Sequence, residues 1–376
     1  MYLKNKDSFF WISSIGVFLI ISIISIYSAS MYLSPSLGNL PLKQVIWYTA
    51  GIILVCFIAK MDNKILYKYA WFMYFASVVM LISLLFLAPS INGSKSWFVI
   101  MGIGTIQPSE FMKIALVLVN AVVMSNFLDK KKISIRDEGL MLFSVGIIFL
   151  IPTILTFMQP DTGIVIIYFI STLVMLFVSG IRKRWFISGL LLVLFFVGTF
   201  LYLYYIKQDV FIDIFGSNFF YRMDRIINWS NGMGMQLNNS MAAIGSSGIS
   251  GHGFNNTPLY FPEAGTDFIF TVFSSNFGLI GSIIMLSFLL YFDIKIINIA
   301  KNCSKKKDKY IISGIMGIII YQQLQNIGMT VGIIPITGIT LPFISYGGSS
   351  LLSYLIMIGI IINIDSANKK KKSYAI

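Results

Sequence analysis

WFISGLLLVLFFVGTFLYLYYI, residues 185–206, is a run of 22 residues without a charged side chain. An α-helix needs about 20 apolar residues to cross the hydrocarbon core of a bilayer. The run is therefore long enough to span a membrane. It lies between the basic cluster Arg182, Lys183 and Arg184 and the single Lys207.

The same pattern recurs along the whole chain of 376 residues, which is 57% hydrophobic and 11% charged and has a mean hydropathy of +0.82. A soluble domain cannot hide so much apolar surface. We predict an all-α, polytopic integral membrane protein that forms one domain, 1–376, with a long external loop, 207–267, between helices 7 and 8. The ten predicted spans are 9–29, 44–59, 66–88, 110–127, 140–157, 161–180, 185–206, 268–292, 310–330 and 343–364.

The lysines and arginines indicate the orientation. If both termini are cytoplasmic, 22 of the 28 basic residues fall on the inner side. This asymmetry is typical of cytoplasmic loops, and it explains the net charge of +13 without a nucleic-acid partner. The basic residues on the outer side are Lys43, Lys95, Lys207, Arg222 and Arg225.

Segments rich in glycine or proline gather on that outer side. Irregular backbone at membrane depth is tolerated only where it is packed in protein or lines a cavity. We therefore expect an external cavity and an external working face. The segments are INGSKSWFVIMGIGTIQPSE (91–110), MQPDTG (158–163), the loop 207–267 and NIGMTVGIIPITGITLPFISYGGSS (326–350).

Two carboxylates, Glu263 and Asp267, lie in FPEAGTDFIF (261–270), just before the eighth predicted span. One interpretation is helix capping by Thr266 or Asp267. The other is a general base, since an acid among aromatic residues loses solvation and its pKa rises. The sequence leaves both open.

Other ionisable residues also allow two interpretations. Glu110 and Lys113 share a helix face and form either a packing ion pair or part of a functional site. Asp161 either caps the sixth helix or lines the outer cavity. Arg222 and Arg225 either anchor an interfacial helix or bind a diphosphate.

Two small-residue segments are similarly ambiguous. AIGSSGISGHG (243–253) could be a flexible loop or a phosphate or sugar cradle. In SYGGSS (345–350), Ser345, Gly347 and Gly348 allow either close helix packing or the approach of a substrate. His252 is the only histidine, which argues against a histidine-rich zinc site.

Taken in order, QPSEFMK, QPDTG, AIGSSGISGHGF, PEAGTDFIF, NIGM and GITLPFISYGGSS resemble the SEDS family, named for shape, elongation, division and sporulation. The resemblance covers essentially the whole chain and includes the ten-helix count. The short basic tail is slightly closer to the RodA branch than to the FtsW branch.

The resemblance implies a peptidoglycan glycosyltransferase of the bacterial cytoplasmic membrane that polymerises lipid II at the outer face during elongation or division. Asp267 matches the family's proposed catalytic acid. Trp97, Glu110 and Lys113 match family positions at the substrate site. A divalent metal, Mg or Mn, is implied, with no organic cofactor. The implied partner is a class B penicillin-binding protein.

The chain departs from the family pattern at three places. Ser275 and Asn276 replace two glutamates common in relatives, and Gly265 replaces a histidine. Many relatives have an arginine just before the tryptophan, where this chain reads GSKSWF, and Lys95 is expected to supply charge at the substrate site instead. Two other functions therefore stay open, namely a lipid II flippase and a non-catalytic scaffold for the penicillin-binding protein.

Overall fold

The structure is a computed structural model and describes residues 5–31, 39–90, 93–100, 104–129, 132–217, 219–220, 223 and 234–374. In these ranges the chain forms twelve α-helices and one antiparallel hairpin. The elements are α1 (Asn5–Ser30), α2 (Leu40–Lys60), α3 (Asn63–Leu87), β1 (Phe98–Ile100), β2 (Gly104–Ile106), α4 (Pro108–Leu128), α5 (Ile135–Met158), α6 (Thr162–Ser179), α7 (Lys183–Ile206), α8 (Gln208–Phe215), α9 (Met235–Ser246), α10 (Ile269–Lys301), α11 (Lys306–Thr330) and α12 (Gly348–Tyr374).

All ten predicted spans are helical for most of their length, which confirms the all-α membrane fold. Among the described residues, nine helices are long and apolar enough to cross a membrane. The tenth, α11, has 25 residues but carries a polar stripe that lowers its hydropathy. That stripe, Gln322, Gln323, Gln325 and Asn326, is buried, because α11 packs against α4, α6 and α10.

The start of the last helix differs from the prediction. The span 343–364 was expected, but α12 begins at Gly348 and continues to Tyr374. Phe343 has a φ of +68°, which is incompatible with a right-handed helix. The hydroxyl of Ser345 also accepts the N–H of Leu341 at 2.8 Å, which closes a turn before the helix. The segment SYGGSS (345–350) therefore forms the end of this turn and the first residues of α12.

The chain packs as two compact units, one made of residues up to Ser179 and from Asn239 onwards, the other of Gly180–Asn238. In the first unit α4 is largely enclosed and packs against α3, α5, α6, α11 and α12. In the second unit α8 packs on α7 through aromatic rings, with Phe200 and Phe211 5.1 Å apart. The predicted loop 207–267 thus contains helices, and the one-domain description stays a prediction.

Helix α10 is broken at Gly278, whose φ of +61° and ψ of −157° are accessible essentially to glycine alone. The break leaves backbone groups without their helical partners. The segment 247–253, which we call the glycine loop, supplies four hydrogen bonds to them. The pairs are His252 N–H to Ser275 O (2.9 Å), Gly253 N–H to Asn276 O (3.1 Å), Leu279 N–H to Gly248 O (3.0 Å) and Ile280 N–H to Ile249 O (3.1 Å).

The two backbones touch at Gly251 and Gly278. A Cβ at Gly278 would lie 2.3 Å from the nitrogen of Gly251, and a Cβ at Gly251 would lie 2.2 Å from the carbonyl oxygen of Asn276. Neither contact leaves room for a side chain. The glycine loop therefore holds the short first half of α10, which directly follows Asp267.

Gly278→Ala should destabilise the protein, because it adds a clash with backbone atoms to a strain of about 1–3 kcal/mol. Gly146→Ala is the matched control. Gly146 lies inside α5 with no atom within 4 Å of an added Cβ, so alanine should be neutral or stabilising by up to about 1 kcal/mol. Thermal unfolding in detergent measures both. Equal Tm values for the two variants would contradict the packing described for the break.

Candidate active site

Asp267 lies in a tight turn that ends where α10 begins. Glu263 adopts a left-handed conformation with a φ of +55°. Its carbonyl accepts the N–H groups of Thr266 and Phe268, each at 3.1 Å, and its carboxylate accepts the hydroxyl of Thr266 at 2.7 Å. Phe261 and Phe268 are buried at the two ends of the turn. We call residues 261–268 the catalytic turn, after the catalytic role that the sequence predicts for Asp267.

The capping interpretation of the two acids is wrong for Asp267. The N-cap of α10 is Phe268, and no side chain makes a cap hydrogen bond there. Neither Thr266 nor Asp267 serves as the cap. The carboxylate of Asp267 is thus not explained by helix termination.

The main chain of the catalytic turn is fixed by residues from α11 and from the segment 331–347, which we call the α11–α12 loop. Three consecutive carbonyl groups of the turn each accept one hydrogen bond. The donors are the N–H of Tyr346 to Gly265 (2.8 Å), the hydroxyl of Ser345 to Thr266 (2.6 Å) and the side-chain amide of Asn326 to Asp267 (2.8 Å).

The catalytic turn borders a cavity of about 430 Å³ in the first unit. Its walls come from the connections α3–α4, α5–α6, α9–α10 and α11–α12, which all lie at one end of the helices, as expected for an outer cavity. Seven of the residues predicted from the sequence line it, namely Trp97, Glu110, Asp161, Glu263, Asp267, Gly347 and Gly348.

Glu110 and Lys113 form an ion pair at 2.5 Å that is closed off from solvent. Lys113 is completely buried. Its ammonium lies 4.4 Å from the centre of the Tyr354 ring and 3.4 Å from the amide oxygen of Gln322. Ser353 donates to the Glu110 carboxylate at 2.8 Å. Buried charges are tolerated when paired and hydrogen-bonded in this way.

Lys113 does not line the cavity, whereas Glu110 does. The structure therefore places Lys113 behind the wall, where it neutralises Glu110. Its predicted role as a direct substrate contact does not fit this position. The packing interpretation of the pair holds for the lysine.

Asp161 fits both of its interpretations. One carboxylate oxygen accepts the N–H of Ile164 at 3.3 Å, as a helix cap does. The other accepts the side-chain amide of Gln107 at 2.7 Å. Asp161 also lines the cavity. Burial raises the pKa of Asp161 to about 6, although the hydrogen bonds from Ile164 and Gln107 act to lower it.

The remaining predicted contacts lie elsewhere. Lys95 is exposed and does not line the cavity. Ser345 is buried and does not line it either, because its hydroxyl is held between Leu341 and Thr266. Arg222 and Arg225 lie outside the described residues.

Two amides of the glycine loop that the sequence suggested for binding phosphate or sugar are used inside the protein instead. The N–H groups of His252 and Gly253 are donated to α10. The loop is thus part of the support of the first half of α10. His252 is a loop residue whose ring nitrogen lies 3.1 Å from the hydroxyl of Ser246.

The Asp267 carboxyl has the electrostatics of a base that works near neutral pH. Burial raises its pKa from 3.8 to about 7, and the neighbouring charge of Glu263 contributes in the same direction. Such a group is ionised about half the time at neutral pH and can both take up and release a proton.

Comparison with known proteins shows the family of the chain. The sequence profile of the family described as cell cycle protein, which groups FtsW, RodA and SpoVE, matches residues 8–370. A Wigglesworthia glossinidia brevipalpis protein named "Probable peptidoglycan glycosyltransferase FtsW" is 33% identical over 97% of this chain and 94% of its own. Stage V sporulation protein E of Bacillus subtilis is 32% identical over 92% of this chain and 93% of its own.

The chain belongs to the SEDS family. Its fold is also similar to solved structures. A chain of a peptidoglycan synthase complex, described for its coordination of polymerization and crosslinking, superposes with a TM-score of 0.77 at 22% identity, covering 95% of this chain and 97% of the other. RodA of Thermus thermophilus superposes with a TM-score of 0.67 at 22% identity, covering 94% and 95%. The leaning towards the RodA branch stays a prediction.

In this SEDS chain the departures Ser275 and Asn276 are buried at the break of α10. The side-chain amide of Asn276 donates to Ser28 of α1 at 2.8 Å, and its amide oxygen accepts the hydroxyl of Thr257 at 3.0 Å. Asn276 therefore joins α1 and α10 to the segment that follows the glycine loop, and it does so without a charge.

The sequence analysis of the SEDS chain missed several cavity residues, including Trp47, Gln107, Gln322 and Tyr346. Gln322 belongs to the polar stripe of a predicted membrane span, and polar residues at such a depth are a signal of function. Trp47 gave no such signal, because a tryptophan in an apolar run is equally expected at a lipid interface.

The pKa of Asp267 predicts how stability depends on pH. Between about pH 4 and 7 the folded protein keeps the proton that the unfolded chain loses, so wild-type stability falls as pH rises through this window. Asp267→Asn removes the effect. Its Tm advantage over wild type should grow across the window to the order of 5 °C and then level off. An advantage independent of pH would contradict the raised pKa.

Proposed function

We propose that this SEDS chain is a peptidoglycan glycosyltransferase that polymerises lipid II, a disaccharide-pentapeptide on undecaprenyl diphosphate, during cell elongation or division. The observation that carries the proposal is the half-buried carboxyl of Asp267, with its pKa raised to about 7, at the edge of a cavity of about 430 Å³. The relatives named peptidoglycan glycosyltransferase support the activity.

In the proposed reaction, ionised Asp267 takes the proton of the attacking sugar hydroxyl. The hydroxyl oxygen forms a bond to the anomeric carbon of the donor sugar while the bond from that carbon to the diphosphate oxygen breaks. Undecaprenyl diphosphate leaves with the electron pair. General-base catalysis of this kind contributes about 10²–10⁴-fold to a rate, and it is most effective when the base has a pKa near the working pH.

The composition of the cavity wall supports a saccharide substrate. The indoles of Trp47 and Trp97 are both partly exposed there. Hydroxyls of Thr105, Thr340 and Ser349 also belong to the lining. Flat aromatic faces beside short polar groups can bind a sugar ring through its apolar face and its hydroxyls together.

The charge of the wall limits what can bind the diphosphate. Among the described residues, the lining of the cavity includes acids but neither lysine nor arginine. We assign neutralisation of the diphosphate to a divalent Mg or Mn ion. Arg222 and Arg225, which the sequence also suggests for this role, lie outside the described residues. Among the described residues, no three His, Cys, Asp or Glu side chains are grouped so that together they could hold a metal ion. Mg²⁺ usually keeps several waters and binds through substrate phosphates.

The orientation follows from the basic residues. The end of the helices opposite the cavity carries the lysines of α10, α11 and α12. With these in the cytoplasm, both termini are cytoplasmic and the cavity faces outward. The proposed site is the bacterial cytoplasmic membrane, and the proposed partner is a class B penicillin-binding protein that crosslinks the new strands.

Asp267→Asn should abolish polymerisation of labelled lipid II by the protein purified with a class B penicillin-binding protein and supplied with Mg²⁺ or Mn²⁺. The expected loss is about 100-fold or more, measured as glycan strands on a gel. Asp293→Asn is the matched control. Asp293 is a buried carboxylate of α10 that accepts a hydrogen bond from Gln323 and does not line the cavity, so its variant should polymerise normally.

Full polymerisation by Asp267→Asn would reject Asp267 as the base. A folded wild type that makes no strands with its partner, but moves lipid II across vesicle membranes, would favour the flippase. Absence of both activities, with a gain in crosslinking by the partner, would favour the scaffold.

The rate should rise with pH and reach half its maximum near pH 7, because only ionised Asp267 accepts the proton. Glu263→Gln removes the negative neighbour, lowers the pKa of Asp267 and should move this midpoint to lower pH. Initial rates between about pH 5 and 9 measure the shift. Asp161→Asn should keep the midpoint whatever its rate. If the midpoint shifts in Asp161→Asn and not in Glu263→Gln, the rise in rate with pH belongs to the ionisation of Asp161.

A further inference from the structure

Asn326 of α11 joins the catalytic turn to the α11–α12 loop. Its side chain is completely buried. The amide nitrogen donates to the carbonyl of Asp267 at 2.8 Å and to the carbonyl of Ile339 at 2.7 Å. Within the described residues the amide oxygen has no hydrogen-bond partner. All of the hydrogen bonding that the structure gives this side chain therefore goes to two main-chain groups.

The second of these groups belongs to the wall beside the Asp267 carboxylate. Gly338, next to Ile339, has a φ of +68°, and a Cβ built there would lie 3.4 Å from a carboxylate oxygen of Asp267. The backbone of the α11–α12 loop thus lies against the carboxylate. By holding Asp267 and Ile339 at once, Asn326 sets the separation between the carboxylate and this wall.

We propose that Asn326 is a positioning residue for Asp267, fixing the carboxylate against the α11–α12 loop for proton transfer. The inference rests on the proposed function. Asn326 does not line the cavity, so it acts through Asp267 and not on the substrate. A side-chain amide suits the role because its nitrogen carries two donors and no charge.

Loss of Asn326 should act in two ways. The carboxylate becomes less well aimed, and a shift of about 1 Å can lower a rate by about 100-fold. Water also gains access beside Gly338, so the pKa of Asp267 falls towards its usual value. The other ionisable groups that line the cavity are Glu110, Asp161, Glu263 and Tyr346, and substitution of Asn326 leaves all of them in place.

The chain contains a matched control for this residue. Asn363 of α12 is also buried, and its amide nitrogen also donates to two main-chain carbonyls, those of Ile58 (2.8 Å) and Met61 (2.6 Å). Its amide oxygen likewise has no partner among the described residues. It lies roughly 22 Å along α12 from the cavity residue Gly348. Asn363→Ala therefore removes the same kind of bond far from Asp267.

The test compares Asn326→Ala with Asn363→Ala in the lipid II polymerisation assay. Both should lower the Tm by similar amounts. Asn326→Ala should also lower kcat roughly 10- to 100-fold with little change in KM and move the midpoint of the pH profile to lower pH. Asn363→Ala should keep kcat, KM and the midpoint. Asn326→Leu, which preserves side-chain volume, serves if the alanine variant does not fold, and it should show the same kinetic defect.

A second measurement does not need catalysis. The pH-dependent Tm difference between Asp267→Asn and its parent is determined in the wild-type, Asn326→Ala and Asn363→Ala backgrounds as a double-mutant cycle. The growth of this difference between about pH 4 and 7 should shrink only in the Asn326→Ala background. If wild type makes no polymer and the shrinkage is still seen in the Asn326→Ala background, the proposed function is rejected and the positioning role is kept. The positioning role would be overturned if this growth were the same in the Asn326→Ala and Asn363→Ala backgrounds and if the polymerisation rates of the two variants fell only in proportion to their loss of stability.

Discussion

Backbone N–H and C=O groups at membrane depth find no water, so irregular chain survives there only if protein groups complete its hydrogen bonds. Two irregular parts of this SEDS protein satisfy this constraint, each through hydrogen bonds to another segment of the chain. The break of α10 at Gly278 is completed by the glycine loop. The catalytic turn is completed by Asn326 and the α11–α12 loop. The parts of the cavity wall next to Asp267, namely the catalytic turn and the α11–α12 loop, depend on the second of these pairings.

The same constraint leaves the Asp267 side chain available for chemistry. The fold holds the residue by its main chain, through hydrogen bonds to the carbonyl groups of Gly265, Thr266 and Asp267. Its carboxyl is not used as a helix cap. Burial then acts on a carboxyl group that is fixed in place and pairs with no cation of the described residues, and its pKa rises to about 7. A salt bridge such as that of Glu110 with Lys113 would instead favour the charged form.

The fold could be predicted from the sequence because a membrane reduces the problem to apolar length and basic flanks. Asp267, Glu263, Asp161 and Trp97 could also be placed at one site from motif order. The supporting contacts could not. Asn326 meets Asp267 across 59 residues of sequence and Ser345 meets Thr266 across 79. No local sequence pattern indicates such pairs. The position of Lys113 behind the cavity wall depends in the same way on contacts with Tyr354 and Gln322, which are distant in sequence.

The departure at Ser275 and Asn276 follows from the same packing. Both residues lie at the break of α10, and Asn276 uses both ends of its amide, one towards Ser28 and one towards Thr257. A carboxylate there could accept from Thr257 but could not donate to Ser28, and it would bury a charge without a cation among these partners. A neutral amide satisfies both contacts. Among the described residues, burial comes first in raising the pKa of Asp267 and the charge of Glu263 adds to it, so both act on the strength of the base.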